Sequence, residues 1–324
     1  MEQSGDGNSV VLLVNGAGGP ELAGVHAELT GAMHIPSVFM TTTDGSFSFD
    51  PDSGIVRCGG VRVRPVVTWV RHFAPGTLTA HARPAGSVPA LAAAAWSGLL
   101  GQVADAAVTA LPGTAPAGTA QLPAAGRLGV RTPRTVLTTD VADGARRVGS
   151  ARVIVKTPDF RLVEPDPRHW GPSLPVVLDR DAAAGARSPG GRPVVVQEYV
   201  PHACELRVYY VDGGICAFRV RQGDPAARWT DPAGVAVTRV DCPDAAGAVV
   251  RTLAAAWGLR YAAFDLLITG TGEVVLLEAN PDGDWLFYER RAGWHGVTFM
   301  AAVMLRELFG RALRKGSDER SLRP

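Results

Sequence analysis

Lysine is almost missing from this chain. Of its 32 basic residues only Lys156 and Lys315 are lysines, and Lys315 lies in a polar C-terminal stretch, RKGSDERSLRP. No basic run interrupts the sequence, and 32 basic against 31 acidic residues leave a formal charge of +1. Without a basic excess there is nothing to displace counterions from a polyanion, which excludes nonspecific nucleic-acid binding as the main role. A chain that uses arginine elsewhere and lysine once in its body marks Lys156 as a position suited to a compact ammonium.

Cysteine is also scarce. The four (Cys58, Cys204, Cys216, Cys242) show no CxxC spacing and are too few for a disulfide scaffold, so they read as free thiols of a reducing, cytoplasmic compartment. The seven histidines are dispersed, and neither HExxH nor GxSxG occurs, which leaves zinc hydrolysis and a serine triad without support. The N-terminal MEQSGDGNS is polar and does not fit a secretory signal. The most apolar window, VPALAAAAWSGLLGQVADAAVTAL, is alanine-rich and contains Gln102 and Asp105, so it reads as a helix of a soluble protein, not a membrane span.

What remains is a chain of 324 residues, long enough for more than one core. VVLLV (10–14) is a continuous apolar run expected as a buried parallel strand, followed by NGAGGP and a helical pattern through Leu29. That glycine pattern lacks the GxGxxG spacing of dinucleotide folds and reads as a plain strand-to-helix turn. SVFMT and VVTWV (66–70) are further strands, with SFSFD and IVRCGGVRV a small hairpin. Residues 74–90 form a connector and 91–111 a helix, with a domain boundary near 113. Beyond it, LPAAGRLGV is a short helix, RTPRTVLTTD a strand segment, and RVIVKTPDF a strand ending at Lys156. Residues 158–192 read as a loop; PVVVQEYV and ELRVYYVDGGICAFRVR as strands; DAAGAVVRTLAAAWG and GVTFMAAVMLRELFGRALRK as helices.

The most specific stretch is FDLLITGTGEVVLLEANPDGDW, 264–285, two strands around Gly-Thr-Gly. Strand alternation puts Ala262, Phe264, Leu266 and Ile268 on one face. Pairing Asp265 with Glu278 then adds Val275, Leu277 and Ala279 to that face. It forces Asp265, Glu278 and Asn280 onto the other, beside Leu267 and Leu276. Two carboxylates directly opposite each other destabilise a sheet unless a cation lies between them. Three oxygen donors without sulfur or imidazole suit Mg²⁺. A triphosphate nucleotide would be its natural partner, with Lys156 on the phosphates.

In order, VIVK, QEYV, ELRVYYVDGG, FRVR, FDLLIT and LLEANPDGDW resemble the ATP-grasp ligases over about 113–310. NPDGDWLFYE and TWVRH resemble the graspetide (microviridin-type) peptide maturases within them. The resemblance implies an α/β (α+β) fold, with a pre-ATP-grasp domain over 1–112 and an ATP-grasp domain of two subdomains over 113–324. It implies ATP and Mg²⁺, with Asp265, Glu278 and Asn280 as metal ligands and Lys156 on the phosphates. Gln197, Glu198, Tyr199 and Val200 would lie along the adenine edge, bound through backbone groups of Glu198 and Val200, and Glu205 on the ribose. Arg207, Arg219 and Arg221 are the catalytic candidates. The implied activity is ester or amide crosslinking of a precursor peptide (leader and core) through an acyl-phosphate. Alternatives are a ligase of a free amino acid or small amine, a kinase, and a silent nucleotide- or peptide-binding module. Neither nucleic acid nor membrane is an expected partner, and a homodimer is compatible. The family's further lysine has no counterpart in GTAQLPAAGRLG, where Arg127 or a backbone group could substitute, and 158–192 offers only Gly190-Gly191 as a glycine clamp.

Overall fold

A strand without polar alternation must be covered on both faces. In the computed structural model, which describes residues 8–15, 20–41, 46–71, 89–158 and 174–321, the VVLLV run lies in β1 (Asn8–Asn15), with residues 11–14 fully buried. The expected N-terminal tail, the glycine turn after β1, His72 with the connector to residue 88, and 159–173 lie outside the described residues.

The described chain divides into two compact units: residues 1–113 with Asp284–Glu289 and His295–Pro324, and Thr114–Gly283 with Arg290–Trp294. In the first, β1 is followed by α1 (Glu21–Ala27), β2 (Ser37–Thr41), β3 (Phe47–Asp50), β4 (Ile55–Cys58) and β5 (Val61–Arg71). The sheet order is β2-β1-β5-β4-β3, parallel from β2 to β5 and antiparallel beyond. The expected hairpin is formed by β3 and β4, and its terminal VRV runs on into the VVTWV strand as one continuous β5. Pro65 sits in it beside a register shift at Val10/Val11, where a bulge accommodates the missing N–H. The expected helix over 91–111 is shorter: α2 (Pro89–Ala106) ends, and β6 (Thr109–Leu111) pairs parallel to β5.

In the second unit α3 (Gln121–Arg127), β7 (Thr135–Thr138), α4 (Val141–Val148) and β8 (Arg152–Lys156) precede β9 (Val176–Asp179), α5 (Arg180–Gly185) and β10 (Val194–Glu198). The region expected as loop thus contains a strand and a helix. Four strands form an antiparallel sheet, order β7-β10-β8-β9, packed on α4 and α5 through Val141, Ala145, Val153, Ala183 and Val196. Then come β11 (Cys204–Val211), β12 (Gly214–Arg221), α6 (Ala227–Thr230), β13 (Ala236–Val240), α7 (Asp244–Ala256), β14 (Tyr261–Ile268) and β15 (Val274–Asn280). They make a second antiparallel sheet, order β13-β12-β11-β14-β15. One face buries Leu206, Val208, Phe264 and Leu266 against Val250 and Leu253 of α7; the other is left for chemistry.

The chain closes with α8 (Leu286–Ala292) and α9 (Gly296–Ser321). Residues from His295 on group with the first unit, because buried Val297, Ala301, Leu305 and Leu308 give α9 an apolar stripe. There the two stretches that carried the maturase resemblance meet. Trp69 and Trp285 stack at 6.0 Å, and the Arg71 guanidinium lies 4.5 Å over Trp285 and 3.7 Å from Asp284. Buried Glu289 accepts from Thr298 N at 2.9 Å and Thr298 Oγ1 at 2.8 Å, placing a carboxylate at the start of α9, where helix N–H groups lack partners.

Candidate active site

Asp265 and Glu278 are paired across β14 and β15, as the apolar pattern requires. The pairing then shifts: Leu266 faces Leu276, not Leu277. Leu277 is the extra residue of a bulge, and every β15 side chain before it changes face. Leu276 therefore joins Leu266 and Ala279 under α7. Val275 and Leu277 join Leu267 on the carboxylate face, packed with Val200 from the end of β10. The expectation for Leu276, Leu277 and Val275 is corrected accordingly, because a strict alternation cannot anticipate a bulge. The bulge sets an apolar pad beside two acids.

A cation does lie beside the pair, and the chain supplies it. Arg207 stands opposite Asp265, and its Nη1 donates to Asp265 Oδ2 at 2.7 Å. The Arg207 side chain is 2% exposed and that of Asp265 31%. A Cβ on Gly283 would overlap Ala263 Cβ and stand 2.6 Å from Arg207 Nη2, so the chain after Asn280 closes over the guanidinium and needs glycine there. The Tyr261 hydroxyl fixes this turn by donating to the Gly283 carbonyl. Arg207 is thus a positioning residue for Asp265.

Glu278 is exposed and makes no hydrogen bond or ion pair with the described residues. Asn280 Oδ1 accepts from Asp282 N at 3.0 Å. Asp265, Glu278 and Asn280 carry oxygen-bearing side chains on the paired strands β14 and β15, the donor chemistry a hard divalent cation takes. The edge strand carrying Glu278 is pinned from α3: Gln121 Nε2 donates to the Ala279 carbonyl at 2.7 Å and Gln121 Oε1 accepts from Ala279 N at 2.8 Å. Further along, Leu276 N donates to the Arg131 carbonyl at 2.9 Å.

Arg219 and Arg221 are not brought to this face. Arg219 pairs with Leu206, whose side chain is under α7, and Arg221 shares its alternation. Both are exposed.

Lys156 pairs with Val195 and alternates with Val153 and Val155, which face α4, so it lies on the opposite side of that sheet. It has no ion-pair partner among the described residues. The nominated segment 197–200 is held by its side chains. Buried Gln197 donates to Thr135 Oγ1 at 2.9 Å, and the Glu198 carboxylate accepts from Arg134 N at 3.0 Å and lies 3.4 Å from Arg131 Nη2. Tyr199 has the Arg152 guanidinium 4.2 Å over its ring. The Val200 carbonyl is bonded by His202 Nδ1 at 2.8 Å, and His202 Nε2 lies 3.2 Å from Glu205 Oε1, whose Oε2 accepts from Gln222 at 2.9 Å. Both ring nitrogens of His202 meet acceptors, which only the imidazolium satisfies. The Glu205 hydrogen bond accordingly holds its pKa above the ordinary histidine value, against burial. Gln121, Gly283 and His202 are positioning residues that the motifs did not single out. Gly283 alone left a trace, as the glycine of NPDGD.

No family model matches the chain, and no curated protein matches it in sequence. Solved structures do. One is the ATP-grasp ligase PsnB with a phosphomimetic variant of its minimal precursor, Mg and ADP (TM-score 0.71, 19% identity, 93% of this chain and 99% of that chain). Another is the macrocyclase MdnC bound with precursor peptide MdnA from Microcystis aeruginosa MRC (0.70, 18%, 92% and 100%). The D-cycloserine synthetase DcsG is similar at a TM-score of 0.57 and 16% identity, over 92% of this chain and 99% of that one. With the bulged carboxylate hairpin and the two antiparallel sheets, these likenesses establish that the chain has the ATP-grasp ligase fold.

Proposed function

We propose that this chain is an ATP-dependent carboxylate ligase that installs ester or amide crosslinks in a ribosomally made precursor peptide, using Mg²⁺ held by Asp265, Glu278 and Asn280. The observation that carries it is the bulge at Leu277. It brings Val275 and Leu277 to the carboxylate face, packed with Val200 and Leu267, a surface for a base beside a site for its phosphates. The likeness to PsnB and MdnC, both solved with precursor peptides, supports a peptide as acceptor.

When bound, the cation would neutralise phosphate charge during transfer. The protein's own part is positional. Arg207 holds Asp265 in one orientation, Gln121 holds β15, and Lys156 offers an ammonium to the phosphates. A peptide carboxylate oxygen bonds the γ-phosphorus and ADP leaves. A side-chain hydroxyl or amine then bonds the acyl carbon, phosphate leaves and the nucleophile loses its proton. Holding both groups together raises their effective concentration. Residues 1–112 would serve as the pre-ATP-grasp domain. Four free cysteines fit a reducing cytoplasm, and among the described residues no helix is long and apolar enough to cross a membrane.

The test is incubation with ATP, Mg²⁺ and the peptide encoded beside the gene. One water lost per crosslink, matched by one ADP, is expected. AMP and pyrophosphate would defeat the mechanism. A stable phosphoryl gain would indicate a kinase, and addition of one amino acid a small-substrate ligase.

A further inference from the structure

Arg239 ends a transverse row across the second sheet. Strand pairing places it opposite Phe218, Phe218 opposite Arg207, Arg207 opposite Asp265, and Asp265 opposite Glu278. Its guanidinium lies 4.5 Å over the ring of Trp294, which meets Phe218 edge to face at 6.1 Å. Trp294 is held in turn by the end of α8, where Arg291 Nη1 donates to the carbonyls of Ala233 and Val235 at 3.1 and 3.0 Å. Stacking occupies the flat face of a guanidinium and leaves its in-plane N–H donors outward. Arg239 is exposed and makes no hydrogen bond or ion pair with the described residues. An arginine restricted by an aromatic ring, with its donor fork unspent, is pre-organised for a carboxylate.

We infer that Arg239, braced on Trp294, is a carboxylate-binding subsite for the acceptor peptide, taking an acidic side chain near the one that is activated. The inference rests on the ligase reading above, which puts the reacting carboxylate near Asp265 and Glu278. Three strand spacings separate Arg239 from Asp265, about 14 Å, the length of roughly four residues of extended chain. The subsite therefore selects acceptors with a second aspartate or glutamate about four positions from the reacting one. Arg219 and Arg221, on the other alternation, do not share this face.

The probe is a fluorescein-labelled, capped peptide containing Glu-Ala-Ala-Ala-Glu, with Glu-Ala-Ala-Ala-Gln as its partner. Both are titrated by anisotropy against protein loaded with ADP and Mg²⁺. Wild type should prefer the diacid about tenfold or more, the weight of one charge-assisted pair. Arg239→Gln should lose that preference while binding the monoacid and ADP as wild type does. Arg239→Lys should retain part of it, having the charge without the fork, and Arg251→Gln, on α7, should retain all of it. Equal affinity of wild type for the two peptides, or equal losses on both in Arg239→Gln, overturns the subsite. If ADP fails to bind wild type but the Arg239-dependent preference persists, the ligase reading falls and the carboxylate subsite stands.

Discussion

Arg207 and Asp265 stand opposite each other on adjacent antiparallel strands, joined by a 2.7 Å hydrogen bond from Nη1 to Oδ2. The guanidinium is buried and the carboxylate is partly open. Asp265 is thereby ion-paired through one oxygen, whereas Glu278 beside it has no ion pair among the described residues.

Removing Arg207 should therefore damage the fold and the site together. Arg207→Met leaves Asp265 without its charged donor, and a loss of about 2 kcal/mol is expected. Adding Asp265→Leu should restore part of that stability, since an apolar pair of similar size leaves no uncompensated charge. Chemical denaturation of the metal-free protein checks both. Additive losses in the double variant would show that the pair is not coupled.

Glu278 should behave in the opposite way. Glu278→Gln removes one of two like charges from a strand pair and breaks no side-chain hydrogen bond or ion pair with a described residue. The metal-free melting temperature should stay the same or rise, while Mg²⁺-dependent ADP binding weakens and ATP turnover falls about a hundredfold or more. Calorimetric ADP titrations with and without Mg²⁺ separate the two effects. Undiminished Mg²⁺ dependence would remove Glu278 from the metal site.

Gly283→Ala should mimic the loss of Arg207. The added methyl would overlap Ala263 Cβ and press on Arg207 Nη2, so the turn must move, at a cost of about 1–3 kcal/mol. Reduced stability with weakened metal dependence is the expected combination. A wild-type denaturation midpoint would mean the turn yields freely.

His202 gives the protein a pH-dependent contact. Its folded pKa lies above the ordinary 6.5, chiefly through the hydrogen bond to Glu205. A raised folded pKa means the stabilisation is fully present below the unfolded value and is lost as pH rises through the folded one. The groups facing the ring are Glu205, the Val200 carbonyl and the Tyr199 ring at 6.1 Å. The difference in melting temperature between wild type and His202→Gln should be largest near about pH 6 and vanish toward about pH 9. A constant difference across that range would rule out the imidazolium bridge.

The hairpin and its carboxylate pair were legible because alternation in 262–268 leaves one register that buries the apolar face. The bulge at Leu277 was not, since val-val-leu-leu reads equally well on either face and the choice depends on what packs against it. β13 escaped notice because AVTRV carries one buried side chain, Val237, with Val240 only half-buried and the others exposed. Gln121 carries no signal at all: its role depends on a partner 158 residues away in sequence. Arg219 and Arg207 looked alike as letters, and the parity of their strand positions separates them.

The Gln121 carboxamide sits beside Ala279 as the peptide group of a sixth strand would, donating and accepting at once. Unsatisfied edge strands invite other chains to pair with them. Here the edge nearest the carboxylates is already spoken for, by a side chain at one end and by the Arg131 backbone at the other. An extended peptide cannot be captured there by strand addition. On the ligase reading proposed above, an acceptor peptide would cross the face of the sheet along the row from Arg239 to Glu278, where side chains and not main-chain ladders would decide what is held.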